Sequence, residues 1–153
     1  MWNTVFVTVH ASAAVVAFAA GLASLRSGRF LAAYRIAVGL MAAALVPAVL
    51  VDWADTDPVA RGAFTGLIGL AAAMVVRAEL AARSLSAAGR PTVAYVEHVG
   101  FTLISLAVGF VVVSGIRLGA PAWLVAAIGV GIVLAGRSAV GRVGRRAPLP
   151  AAG

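Results

Sequence analysis

The chain has 153 residues, of which 63% are hydrophobic and 11% are charged, with a formal net charge of +7 and a mean hydropathy of +1.06. A soluble domain is roughly half apolar and one quarter charged, so this composition excludes an ordinary soluble protein and predicts an integral membrane protein. Because the sequence contains neither cysteine nor lysine, disulfides, thiolate metal sites and lysine Schiff bases are also excluded.

Five apolar segments are candidates to cross a bilayer as helices, which takes about 20 residues each. Their continuous apolar character favours helices over the alternating strands of a membrane barrel. The segments comprise residues 4–25, 31–51, 59–80, 92–116 and 121–136. The predicted fold is therefore all-α: an integral membrane bundle of five transmembrane helices in one domain, residues 1–141, followed by a short basic tail, residues 142–153.

The first two segments carry polar residues within the predicted spans. In the first segment, His10 shares a helical face with Ala17, so its imidazole is predicted to face the bundle. The second segment has Tyr34 and Arg35 near its start. Pro47 predicts a kink in its second half, because proline removes a helical hydrogen bond.

The third segment has a glycine-rich face. Gly62, Gly66 and Gly69 lie on one side of the predicted helix, and "GAFTG" is a small-xxx-small motif of the kind that lets another helix approach closely. Arg77 follows on the same face, so its guanidinium is predicted to point into the bundle.

The fourth and fifth segments also have small or polar faces. His98, Thr102, Ser105 and Gly109 recur at i, i+4, i+7 and i+11, which predicts one stripe facing protein rather than lipid. Gly129 belongs to a smooth surface of the fifth segment on which a second copy or a partner helix is expected to pack.

Arginine placement predicts the orientation. Under five alternating spans, Arg61 and Arg117 lie on one side and ten arginines on the other, and cytoplasmic loops carry the excess of positive charge. The N-terminus is therefore predicted outside and the C-terminus inside a bacterial inner membrane, with an acidic external loop containing Asp52, Asp55 and Asp57. The expected partners are the bilayer and its anionic lipids, and nucleic acid is not expected. The ten arginines are Arg26, Arg29, Arg35, Arg77, Arg83, Arg90, Arg137, Arg142, Arg145 and Arg146.

This register predicts one polar cluster near the cytoplasmic side. Arg77 and His98 are expected at similar depth, with Glu97 beside them, and the same region contains Tyr34, Arg35 and Glu79. Two interpretations stay open. In the structural one, Arg77 and Glu97 neutralise each other or reach the interface, and His98 bonds a helix carbonyl. In the functional one, the cluster is a proton-sensitive gate or a binding site for an anionic headgroup or substrate.

The two histidines raise the question of haem. Axial ligands of one iron must reach the same depth, whereas His10 and His98 are expected about 13 Å apart along the normal of a ~30 Å core. A bis-histidine haem b within one chain is therefore disfavoured, while a site with one histidine or a site between chains stays open. No cofactor is the expected state, and the scattered carboxylates predict no metal site.

The stretches "HASAAVVAFAAGLASL" and "FLAAYRIAVGL" resemble a group of uncharacterised bacterial membrane proteins in which a histidine opens the first transmembrane helix. His10 and Gly21 match that pattern. The second span of that family commonly begins with a His-Arg pair, where this chain has Tyr34 and Arg35. The resemblance covers the first third of the chain and implies a polytopic bundle without a known activity.

Three functions fit these features. The first is a non-enzymatic bundle that packs as a homo-oligomer or as a subunit of a membrane complex, with a lipid or small permeant at the polar cluster. The second is a proton-sensitive small transporter or channel gated by Arg77, Glu97 and His98, which needs a water-accessible path. The third is an electron-transfer subunit that holds haem or quinone through His10 or His98. The small-residue faces and the lack of a catalytic constellation favour the first.

Overall fold

The computed structural model describes residues 2–51, 53–54 and 58–145. It contains five helices in this part of the chain: α1 Trp2–Ser27, α2 Leu31–Leu50, α3 Pro58–Ala88, α4 Val93–Arg117 and α5 Ala122–Arg145. The predicted external carboxylates Asp52, Asp55 and Asp57 lie outside the described residues, as does the tail from Arg146 onward.

All five helices are long and apolar enough to cross a membrane, over Thr4–Ser27, Leu31–Leu50, Phe64–Ala88, Val93–Gly115 and Trp123–Arg145. Since the described ranges contain no strand, the prediction of an all-helical protein with five helices suited to span a membrane is confirmed. The orientation stays a prediction, so the two ends of the bundle are named by composition. The end at which α1, α3 and α5 finish and α2 and α4 begin is the arginine-rich end.

Two helices extend more than one turn beyond their predicted ends. The sequence predicts that the third helix ends at residue 80 and the fifth at residue 136, but α3 continues to Ala88 and α5 to Arg145. Alanine and arginine, which both extensions contain, are good helix formers, so a loss of apolar character marks the edge of a bilayer rather than the end of a helix. Gly89 follows the last residue of α3 with a φ of 66°, a conformation that glycine adopts at little cost.

Four helices form a ring. α1 packs against α2, α2 against α3, α3 against α4, and α4 back against α1, which leaves α1 and α3, and α2 and α4, as diagonal pairs. In the described part of the chain, α5 lies outside this ring and packs against α4 alone.

Small side chains and two large tyrosines fill the centre of the ring. Tyr34 of α2 and Tyr95 of α4 have no exposed surface. Around and beyond them the core consists of residues such as Ala17, Val38 and Val99, which are also fully buried. Diagonal helices are too far apart for backbone contact, and alanine side chains are too short to fill the space between them. The two long tyrosine side chains fill it instead.

The contact between α4 and α5 depends on glycines that receive branched side chains. A Cβ placed on Gly136 would lie 2.5 Å from Cγ1 of Ile104, and a Cβ on Gly100 would overlap the side chain of Val140. These glycines therefore bring the two helices closer than any other residue would allow. Gly129, one of the glycines predicted to pack, also faces α4, more loosely.

The glycine-rich face of α3 has no neighbour among the described residues. Gly62, Gly66 and Gly69 are exposed, and a Cβ added to any of them would meet nothing within 4 Å. The position of Gly109 on α4 is equally open. These four glycines thus contact no neighbouring helix closely in the described part of the chain, and their role in packing stays a prediction.

Candidate functional site

Arg77 of α3 and His98 of α4 touch each other. Nη1 of Arg77 lies 3.1 Å from Nδ1 of His98. The same guanidinium lies over the ring of Phe101, 4.9 Å from its centre, which is a cation–π contact. All three residues are half-buried. The structure therefore brings together the two residues that the sequence placed at similar depth.

The chemistry of this contact determines the state of the imidazole. An arginine guanidinium has donors only, so Nδ1 of His98 must be the acceptor. The ring is then neutral, and its proton is on Nε2, which points away from the bond with Arg77. The alternative prediction that His98 bonds a helix carbonyl does not describe this arrangement.

The contacts of Arg77 differ from the predicted ion pair with Glu97. Within the described ranges, no carboxylate lies at ion-pair distance from Arg77, and the two groups that hold it are neutral. Glu97 is exposed on the surface of α4. Its side chain points to a different side of α4 from that of His98, because adjacent helical residues are about 100° apart.

Arg35 and Glu79 form the ion pair instead. Nη2 of Arg35 lies 2.6 and 2.7 Å from the two carboxylate oxygens of Glu79, and Nε lies 3.0 Å from Oε1. Their side chains are 40% and 46% exposed, so the pair lies on the outside of the α2–α3 contact. Glu79 is thereby neutralised by Arg35 and is not directed to Arg77.

Tyr34 lies deeper than the rest of the predicted cluster. Its hydroxyl faces that of Thr102 across the diagonal of the ring. Neither hydroxyl completes a hydrogen bond of ordinary distance and angle, and both oxygens are buried. Gly21 makes room for the tyrosine ring, because a Cβ there would lie 3.2 Å from it. Tyr34 is therefore a core residue that connects α1, α2 and α4.

Sequence reasoning missed one further residue of this region, Tyr95, and predicted for its partner Ser24 a place on the inward face of the first helix, with His10. The hydroxyl of Tyr95 donates to the carbonyl of Ser24, 3.0 Å away, and the Ser24 hydroxyl donates to the carbonyl of Gly21 at 3.0 Å. Both side chains are fully buried. The spacing of Tyr95 with Val99 and Thr102, at i, i+4 and i+7, is the signal that would have placed Tyr95 in the core.

The start of α4 is held by hydroxyl groups that set the height of His98 against α3. Oγ1 of Thr92 accepts a hydrogen bond from the backbone N–H of Tyr95 at 3.2 Å, which is the usual way that threonine caps a helix. The same oxygen lies 2.7 Å from Oγ of Ser84 near the end of α3. This contact ties the two helices together a few turns from the Arg77–His98 pair.

His10 belongs to a separate part of the bundle. Its Nδ1 lies 2.9 Å from the carbonyl oxygen of Met41 on α2, and since a carbonyl only accepts, Nδ1 carries the proton. The two histidines therefore have partners on different helices, α2 for His10 and α3 for His98. No group of three His, Asp or Glu side chains that could hold a metal ion occurs in the described part of the chain.

The chain matches no protein-family model, no curated protein and no solved structure. The resemblance of its first third to a family of bacterial membrane proteins therefore stays a prediction, and the function must be argued from the residues themselves.

Proposed function

We propose that this protein is a non-enzymatic multi-pass protein of the bacterial inner membrane that binds an anionic group between Arg77 and His98. The observation that carries the proposal is the environment of Arg77. Its guanidinium lies within a helix suited to span a membrane, and among the described residues its partners are an imidazole and an aromatic ring. An anion would supply the charge that these neutral partners lack.

The energetics favour such a ligand. A charged side chain inside a bilayer is costly, by roughly 2.5–3.5 kcal/mol on insertion scales, and it is usually paired or placed in contact with water. Arg35 satisfies this rule through Glu79. Arg77 is half-buried and satisfies it only in part, so a bound phosphate or carboxylate group would stabilise it further.

The arginine-rich end offers a source for the ligand. With the predicted orientation, this end faces the cytoplasm, where the inner leaflet carries anionic lipids. His98 lies five residues after the start of α4, which is roughly 8 Å along the helix. A lipid phosphate at the membrane surface and a soluble anion share the chemistry that Arg77 would recognise.

Association with a second copy or with another membrane protein is the second part of the proposal. The support is the open face of α3, where Gly62, Gly66 and Gly69 are exposed and glycine at this spacing commonly packs against another helix. The same face would otherwise contact lipid.

The interior supports binding rather than conduction. Away from the arginine-rich end, the centre of the ring contains Ala17, Met41 and Met74, which are nearly or fully buried. A transporter or channel needs a polar or hydrated path through this layer. The polar residues of the site therefore lie at one end of the bundle.

Native mass spectrometry tests the proposal. The protein is solubilised in mild detergent with equal amounts of phosphatidylglycerol and phosphatidylcholine, and the retained lipid is counted. We expect the wild type to retain phosphatidylglycerol preferentially and Arg77→Gln to lose this preference. Arg83→Gln is the matched control, because Arg83 is an exposed arginine of the same helix, and it should behave as the wild type.

Equal retention by all three proteins would contradict the proposal. Excess inorganic phosphate separates the two sources of ligand: loss of the lipid on adding phosphate indicates a site for a soluble anion, and unchanged retention indicates a lipid headgroup site. The same spectra report the number of subunits, and a monomer under all conditions would exclude a second copy on the α3 face.

A further inference from the structure

The contact between Arg77 and His98 has two chemical states that differ by one proton. In the structure, Nδ1 of His98 accepts from Nη1 of Arg77 across 3.1 Å, which requires a neutral ring. A protonated ring would have donors at both nitrogens and would face a guanidinium of the same charge. In one state, therefore, the ring is neutral and bonded to Arg77. In the other state the ring is an imidazolium, which needs a different partner.

An anion on Arg77 would be that partner. When a phosphate oxygen accepts from the guanidinium, Nδ1 of His98 is released and can take up a proton. The imidazolium then donates to the same anion, and the bound state contains two cationic donors on one anionic group.

The charged groups around His98 do not themselves provide a partner for the protonated ring, so the bound anion has to provide it. From α3 the nearest charge is Arg77, while Glu79 on the same helix is neutralised by Arg35 of α2. From α4 itself the carboxylate of Glu97 is the neighbouring charge, and it is exposed. The contacts of α4 with α1 and α5 involve hydroxyl, glycine and aliphatic groups, such as those of Ser24 and Val140. Among these groups, His98 is the imidazole that contacts Arg77.

We infer that anion binding at this site is coupled to the uptake of one proton by His98. The inference rests on the proposed anion site and concerns its regulation. The balance is simple: one proton from solvent is added to Nδ1, the hydrogen bond between Arg77 and His98 is broken, and two hydrogen bonds to the anion are formed. Affinity for the anion must then rise as pH falls, because a ligand that favours the protonated form binds more tightly where protons are abundant.

Calorimetric titration with a short-chain phosphatidylglycerol tests the inference, because its phosphodiester stays anionic throughout and cannot itself take up the proton. We expect the wild type to bind about tenfold more tightly at about pH 5.5 than at about pH 8. Repeating the titration near neutral pH in two buffers of different ionisation enthalpy should show net proton uptake by the wild type on binding.

Two variants make the result specific. His98→Gln keeps an oxygen that can accept from Arg77 and an amide that can donate, but it does not titrate, so it should bind with no proton uptake and little pH dependence. His10→Gln removes the other histidine, whose partner is the Met41 carbonyl, and should keep the full pH dependence. Circular dichroism of both variants confirms that they are folded.

The outcomes distinguish this inference from the proposed function. Binding that depends on Arg77 but is independent of pH would overturn proton coupling and leave the anion site standing. Proton uptake that persists in His98→Gln would also overturn it. Binding that Arg77→Gln does not weaken would overturn both, since the site itself would then be wrong.

Discussion

The two halves of the helical ring have different interiors. Next to the arginine-rich end, the interior contains Tyr34, Tyr95 and Thr102 and borders the Arg77–His98 pair. In the opposite half it is mostly alanine, valine and methionine, and the hydrogen bond from His10 to the Met41 carbonyl is a polar contact between α1 and α2 there. Since lipid solvates apolar residues as well as a protein core does, polar groups and close packing must provide much of the specificity of helix association. The half near the arginine-rich end therefore has more of the buried polar groups that give helix association its specificity.

Hydroxyl groups show the same contrast. Thr8 and Thr65, both outside the core, donate to the carbonyls of Thr4 and Arg61 on their own helices, at 2.7 and 2.8 Å. Thr102 instead turns its hydroxyl toward Tyr34 of another helix. Thr102 thus gives up an acceptor on its own helix for a contact between helices, whereas Ser24 in the same half keeps its bond to the Gly21 carbonyl.

The largest effect is expected for truncation of the central tyrosine. Tyr34→Ala should lower the free energy of unfolding by about 3–5 kcal/mol, because it leaves a cavity between α1, α2 and α4. Phe110→Ala is the control in the opposite half, since Phe110 is 75% exposed, and it should change stability by less than about 0.5 kcal/mol. Denaturant unfolding in mild detergent measures both, and similar losses would show that the two halves are equally important.

A pair of glycine substitutions should have effects of opposite sign. Gly100→Ala should destabilise the protein by about 1–3 kcal/mol, because the new methyl group overlaps Val140 of α5. Gly62→Ala should stabilise it by up to about 1 kcal/mol, because alanine is the better helix former and the position is open. Thermal unfolding of dilute protein in detergent gives the sign of each change.

The Gly62→Ala result also bears on association. If a second copy packs on the α3 face, the added methyl group should weaken the oligomer and destabilise the protein at high concentration while still stabilising it when dilute. A stabilisation that is the same at every concentration would exclude packing at Gly62.

The smallest expected effect is a coupling energy between side chains. In a double-mutant cycle, Arg77→Gln and His98→Phe should couple by about 1 kcal/mol, because one hydrogen bond connects them. Arg77→Gln and Glu97→Gln should be additive, since the structure has no ion pair between them. Coupling between Arg77 and Glu97 larger than that between Arg77 and His98 would restore the pairing that sequence reasoning offered.

For the candidate site, the depth of each side chain along its helix was predictable from the sequence, whereas its bonding partner was less predictable. Arg77 and His98 were expected at one level and are in contact. Arg35 and Glu79 were expected in the same cluster, yet they bond each other on the outside of the bundle. Counting residues gives the height of a side chain, whereas its partner depends on how far each helix is rotated about its own axis, which no single segment specifies.

By itself, the sequence determined the class of the protein, the number of helices and the approximate place of each, because apolar length and helical period are properties of one segment. Which glycines allow another helix to approach closely depended on the tertiary structure. Gly62 belongs to the clearer motif and faces no helix, whereas Gly100 lies in no such motif and receives Val140. The physical reason is that close packing requires two matching surfaces, and the second surface belongs to a helix distant in the sequence.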